Sequence, residues 1–144
     1  FKSMYYGCTS LTTTGRIPLD DASESCCEMM FLNCSSLVNI PESLPASTSV
    51  KSFQSMFWGC SSLSSAPLLP ATSLSTNSYA SIFYNCTNLS SVTCLATDIS
   101  ASGCTSNWLS GVAPTGTFTT PSSTAWATGA SGIPSGWTRV DYNE

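Results

Sequence analysis

Met56-Phe57-Trp58-Gly59-Cys60-Ser61-Ser62-Leu63 decides the fold, because the same cassette occurs four times at one interval. The other copies are Met4-Tyr5-Tyr6-Gly7-Cys8-Thr9-Ser10-Leu11, Met30-Phe31-Leu32-Asn33-Cys34-Ser35-Ser36-Leu37 and Ile82-Phe83-Tyr84-Asn85-Cys86-Thr87-Asn88-Leu89. Their cysteines stand at 8, 34, 60 and 86, always 26 apart. A period in the twenties marks a solenoid, in which no repeat can bury its apolar face alone and each stacks on the next.

Counted from the cysteine, apolar residues fill column −7 (Phe1, Cys27, Phe53, Tyr79), column −4 (Met4, Met30, Met56, Ile82, Trp108) and column −3 (Tyr5, Phe31, Phe57, Phe83, Leu109). That i, i+3, i+4 spacing predicts one buried face of a short helix. Column −1 reads Gly7, Asn33, Gly59, Asn85, Gly111. Gly and Asn tolerate the left-handed conformation that ends a helix, so this column is the expected helix stop. Leu11, Leu37, Leu63 and Leu89 at column +3, with Ile40, Ala66 or Val92 at +6, predict a brief parallel strand per coil. Thr12-Thr13, Ser64-Ser65 and Ser90-Ser91 then lie towards solvent as a hydroxyl ladder. Pro18, Pro41, Pro45, Pro67 and Pro70 mark the return loop, where a missing N–H does least harm.

After Val92 the period degrades. Residues 1–92 are read as repeats, the first truncated at its front, and 93–144 as a degenerate repeat with a β-rich C-terminal cap in the same structural unit. Asn107–Val112 is the expected fifth helix; Gly116–Thr119 and Trp137–Val140 are the expected strands, with Trp108, Trp126 and Trp137 supplying bulk. A disulfide between Cys94 and Cys104 would suit an exported cap. Phe1 occupies an internal repeat column, which predicts a fragment of a longer protein. Phe1, Met4, Tyr5 and Leu11 then form an uncapped apolar coil open to end-to-end self-association.

Only 8% of the 144 residues are charged, and the four bases, Lys2, Arg16, Lys51 and Arg139, are scattered through a chain of net charge −4. No patch neutralises a run of phosphates, so nucleic acid is not an expected partner. No apolar run approaches a membrane span of roughly 18 residues. With no histidine in the chain, a Cys or Ser nucleophile has no usual base, and no enzyme activity is expected. The periodic cysteines read as small buried hydrophobes, Val112 taking the same column in the fifth repeat. Cys26-Cys27 has no second pair to complete a zinc site, and no cofactor or metal is expected. Asp20, Asp21, Glu24 and Glu28 form the one acidic cluster, read as helix-start acids rather than a calcium or glycosidase site. The sequons at Asn33, Asn85 and Asn88 carry little weight, since the first two coincide with the helix stop.

Column −2 reads Tyr6, Leu32, Trp58, Tyr84, one position off the buried stripe. Facing outward, its rings would form a platform for a sugar chain or a protein hot spot; leaning over the preceding coil, they would merely close its edge. The hydroxyl ladder has the same two readings, ligand surface or simple solvation. The candidate ligand-binding residues are therefore Tyr6, Trp58, Tyr84, Ser64 and Ser90.

The cassette aromatic, Gly or Asn, Cys, Ser or Thr, Ser, Leu, followed by Ala66-Pro67-Leu68-Leu69-Pro70-Ala71-Thr72, resembles the BspA-like leucine-rich-repeat proteins of bacterial cell surfaces. Cys94-Leu95-Ala96-Thr97-Asp98 and Gly132-Ile133-Pro134-Ser135-Gly136-Trp137 are similar to the terminal module that follows such repeats. The resemblance implies an α/β leucine-rich-repeat solenoid, right-handed, with one short parallel strand and one short helix per coil. It further implies an exported or surface-anchored protein and, for some members, adhesion to host or matrix proteins; the aromatic column adds a glycan as a candidate ligand. A structural spacer with no ligand of its own is the alternative.

Overall fold

A computed structural model of the chain describes residues 1–17 and 22–143. Pro18 of the expected return loop and Asp20 and Asp21 of the acidic cluster lie outside the described residues. Successive 26-residue coils stack in register. The rings of Tyr5, Phe31, Phe57 and Phe83 form one column with centroids 5.4, 5.7 and 5.7 Å apart and interplanar angles of 10° or less.

The expected helix per coil is not there. Among the described residues no helix occurs, and residues 24–33, 50–59, 76–85 and 102–111 are instead runs of consecutive turns. The spacing explains why. A helix with its side chains is about 10–12 Å across, and coils separated by half that distance cannot each hold one. The backbone solves the problem by alternating its hydrogen bonds. In the third coil the N–H groups of Lys51, Phe53, Ser55, Phe57 and Gly59 donate along the stack to Thr76, Ser78, Ala80, Ile82 and Tyr84 carbonyls at 2.8–3.1 Å. The intervening Ser52, Gln54, Met56, Trp58 and Cys60 donate back to the residue three before them.

This alternation requires the chain to reverse its hand every fourth residue. Column −9 (Ser25, Lys51, Asn77, Gly103), column −5 (Ser3, Met29, Ser55, Ser81, Asn107) and column −1 (Gly7, Asn33, Gly59, Asn85, Gly111) all have φ between 50° and 76°. Column −1 is thus left-handed, but as the third of three such columns and not as a helix stop. Each non-glycine residue there costs about 1 kcal/mol or more. The five cross-coil bonds of each run, at about 1 kcal/mol apiece, and the stacked rings offset that cost. Phe53, Met56, Phe57 and Cys60 are completely buried, because a four-residue turn repeat turns columns −7, −4, −3 and 0 to one side just as a helix would.

The expected strand per coil is not there either: among the described residues only three strands form, all from residue 91 onward, and the first three coils contribute isolated bridges. β1 (Ser91–Thr93), β2 (Gly116–Thr120) and β3 (Trp137–Asp141) form one parallel sheet in that order. β2 and β3 fall on the two segments expected as strands. An isolated parallel bridge from Ser65 to Ser91 extends the same ladder one coil towards the front, and a separate bridge joins Thr13 to Asn39, with no bridge between Asn39 and Ser65 among the described residues. A second ladder follows the return loops, through Ser43 to Leu68, Leu69 to Cys94 and Ser73 to Asp98. Between the ladders lies one core, in which Leu37, Leu63 and Leu89 repeat at the same position. The fold is therefore an all-β-ladder stack with turn runs. At the far end Trp108 stacks on Trp126 (5.2 Å, 12°), with Phe118 edge-on to both. Trp108 Nε1 donates to Gly132 O, and Trp137 Nε1 to Ala113 O, each at 2.8 Å. Cys94 and Cys104 form no disulfide: both are free thiols, and Cys104 donates to Ile99 O.

Candidate recognition surface

Column −2 does not make a continuous aromatic row. Tyr6 is exposed, but Leu32 is buried and interrupts the column. Trp58 and Tyr84 are half-buried and pack on each other, with centroids 4.3 Å apart and planes tilted by 36°. These rings both close the gap between two coils and present one face outward. The observed platform is one ring pair plus an isolated Tyr6.

The hydroxyl ladder is more extensive than its sequence signature. Ser64 is exposed; Ser90 is half-buried, donating its N–H to Ser64 O at 3.0 Å and accepting from Thr117 N–H at 2.8 Å. The pairing thereby carries the register onward: Ser65, Ser91, Thr117 and Thr138 stand exposed along one ladder face, and Thr13 and Asn39 form a separate exposed pair at the front. Adjacent strands in such a ladder lie about 4.8 Å apart, so the row is a regular, uncharged strip of short hydrogen-bonding side chains. Asn39, Thr117 and Thr138 were not candidates from the sequence. Thr138 follows Thr117 by 21 residues, so the 26-residue period conceals it.

Cys8 is exposed, unlike the buried position expected of the periodic cysteines, and Cys26 is half-buried; the other six thiols sit where they cannot readily react. Cys34, Cys60 and Cys86 are fully buried, and each Sγ–H donates to the carbonyl of the ring residue one coil earlier: Tyr5 (3.1 Å), Phe31 (3.2 Å) and Phe57 (3.0 Å). In these three coils the cysteine is both a small apolar filler and a donor, whereas Val112 fills the same column in the fifth repeat with no donor. Burial pushes the Cys86 and Cys94 thiols up to about 12 and raises those of Cys34, Cys60 and Cys104. Cys27 is pushed up to about 12, by burial first and then by the Cys26 thiol 3.5 Å away. A nucleophilic or metal-bound sulfur must be a thiolate, and these surroundings oppose that form.

Among the described residues no group of three or more Cys, Asp or Glu side chains is placed to hold a metal ion. Of the acidic cluster, Glu28 is buried and pairs with Lys2 at 2.9 Å, while Glu24 is exposed. Asn88 Nδ2 donates to Ser61 O at 2.7 Å. Asn33 and Asn85 lie against the next coil, where a Cβ on Gly59 or Gly111 would strike their Oδ1 atoms. No helix of the described residues is long and apolar enough to cross a membrane. Compared with known proteins, the chain matches no family model, no curated protein and no solved structure.

Proposed function

We propose that the chain is a non-enzymatic recognition module of a cell surface, binding an extracellular glycan or protein along its ladder face. The observation that carries this reading is the exposed strip from Ser65 through Ser91 and Thr117 to Thr138, with one polar side chain per coil and no charge among its four residues. Such a strip offers hydroxyl groups at a fixed interval, which suits a polymer that repeats at a comparable step. The Trp58–Tyr84 pair adds an aromatic face of the kind that covers apolar sugar or side-chain surfaces. The resemblance of the repeat cassette to BspA-like bacterial surface proteins supports the extracellular setting. The buried, weakly acidic thiols are compatible with it, since they resist oxidation.

The test is an array of glycans and matrix proteins probed with the wild-type chain, Trp58→Ala and the pair Ser65→Lys/Ser91→Lys. Saturable binding weakened by either set supports the reading. Absence of saturable binding to any ligand leaves the chain as a spacer. Binding unaffected by both sets of changes places the recognition surface elsewhere.

A further inference from the structure

We propose that a cleft between the fifth turn run and the cap takes the acetamido group of an N-acetylated amino sugar, which rests on the recognition reading above and narrows it to one class of glycan. In each of the first four runs the column −1 residue and the cysteine after it both pair their N–H groups. Gly59 N–H donates to Tyr84 O and Cys60 N–H to Phe57 O, and the other three coils repeat both bonds. At the end of the fifth run the equivalent N–H groups of Gly111 and Val112 have no acceptor among the described residues. Gly136, 26 residues after Ser110, is the next acceptor the period would supply, but it lies tight against Pro114 O instead. A cleft of about 240 Å³ remains, walled by residues 109–114, 129–130 and 134–136.

Gly111 is left-handed with φ at 76°, and successive N–H groups around such a residue converge on one acceptor. Leu109, Val112, Pro114, Ala130 and Pro134 give the cleft an apolar lining, and Ser110 and Ser135 add hydroxyls. Its volume is below the roughly 300–1,000 Å³ of pockets that enclose a whole drug-sized ligand, so it suits a group projecting from a larger molecule. A carboxylate would accept from the same two N–H groups. It would do so with no charged side chain lining the cleft among the described residues, in a chain of net charge −4, and shedding its water there would be costly. An acetamido group needs no counter-charge. Its carbonyl accepts from Gly111 and Val112, its N–H donates to a serine hydroxyl, and its methyl rests on the apolar lining. The sugar ring has support too. Ser110 follows Trp58 and Tyr84 in column −2, and the 2.8 Å bond from Asn85 N–H to Ser110 O sets the coil of Tyr84 directly before it. The Trp58–Tyr84 pair therefore leads along the stack to the cleft, and a glycan lying on those rings brings its next substituent into it.

The experiment is an amide NMR titration of the ¹⁵N-labelled chain with two β1,4-linked trisaccharides. One is the trimer of N-acetylglucosamine; the other is cellotriose, with a hydroxyl in place of each acetamido group. The N-acetylated trimer is expected to bind saturably and to move the Gly111 and Val112 amide signals, and cellotriose to bind about tenfold more weakly or less. Ser110→Leu, a side chain that column −2 already holds at Leu32, fills the mouth of the cleft and is expected to weaken the trimer about tenfold. The two sugars on the wild type decide the matter even if that variant misfolds. Equal binding of both sugars overturns the proposal, as does saturation that leaves Gly111 and Val112 unmoved, or no saturation by the trimer at about 10 mM. Any of these results beside saturable binding of another ligand on the array removes the cleft and leaves the recognition reading standing. No saturable binding to any ligand removes both.

Discussion

The Asn33 side chain lies directly against Gly59 of the next coil, with its Oδ1 in the space a Cβ at 59 would need. Asn85 stands in the same relation to Gly111, and Asn77 to Gly103. The alternation of Gly and Asn in column −1 is therefore a packing rule between coils: an Asn in one coil requires a glycine after it.

Gly59→Ala consequently has two costs, the methyl group against Asn33 and a φ of 75° that an L side chain resists. Together they should destabilise the chain by about 2–3 kcal/mol. Adding Asn33→Gly removes the first cost and should restore about half of the loss. Urea unfolding of both single variants and the double variant measures the coupling. Additive effects would show that the two coils do not meet as described.

Lys51 offers a test of the turn run itself, since it is exposed with φ at 55°. In a helix, Lys→Gly at an exposed interior site costs about 1 kcal/mol. In a left-handed position glycine removes a strain of about 1–2 kcal/mol, against a smaller loss of chain entropy. Lys51→Gly should therefore raise stability by about 0.5–1 kcal/mol, read as a higher urea midpoint at unchanged slope. A lower midpoint would favour the helical geometry.

The core was legible because burial depends only on which columns face inward. Phe53, Met56, Phe57 and Cys60 are apolar at a spacing shared by a helix and a four-residue turn repeat. The backbone between them was not legible from that spacing. Its signal lay in columns −9 and −5, where Asn77, Gly103 and Asn107 favour positive φ, but Lys51 and Met29 in the same columns mask it. Identical rings at column −3 carried a second clue, because Phe31, Phe57 and Phe83 stack face to face only when coils are about 5 Å apart. For the surface, Trp58 and Tyr84 could be picked out by type, whereas the break at Leu32 follows from an aliphatic side chain finding cover where a Tyr hydroxyl would seek water.

The buried thiols predict an alkaline limit to stability. A thiol raised from 9.0 to about 12 favours the fold in its neutral form. Its contribution is complete below the unfolded value near 9 and is lost as pH rises towards the folded value. Over that window each such group should reduce stability by about 1.4 kcal/mol per pH unit. Thermal melts between pH 8 and 11 should therefore show a steep fall above pH 9 that is shallower in Cys86→Val. That substitution also removes the donor to Phe57 O, so the variant should begin about 1 kcal/mol less stable at pH 7. An unchanged alkaline slope in the variant would mean that Cys86 does not titrate with unfolding.

Tyr79 is fully buried beside Phe53, with ring centroids 6.0 Å apart, and among the described residues its hydroxyl has no hydrogen-bond partner. Phe53 fills the same column one coil earlier with no hydroxyl at all. A buried, unpaired hydroxyl costs about 1–3 kcal/mol relative to water, so removing it should not weaken the fold. Tyr79→Phe is expected to be neutral or to stabilise by about 1 kcal/mol, with the same urea slope. A loss of 1 kcal/mol or more would mean instead that the hydroxyl is satisfied in solution, most simply by an internal water between the coils. Burial also raises the Tyr79 hydroxyl pKa, so tyrosine absorbance should show one fewer group ionising only upon unfolding in the Phe variant than in the wild type.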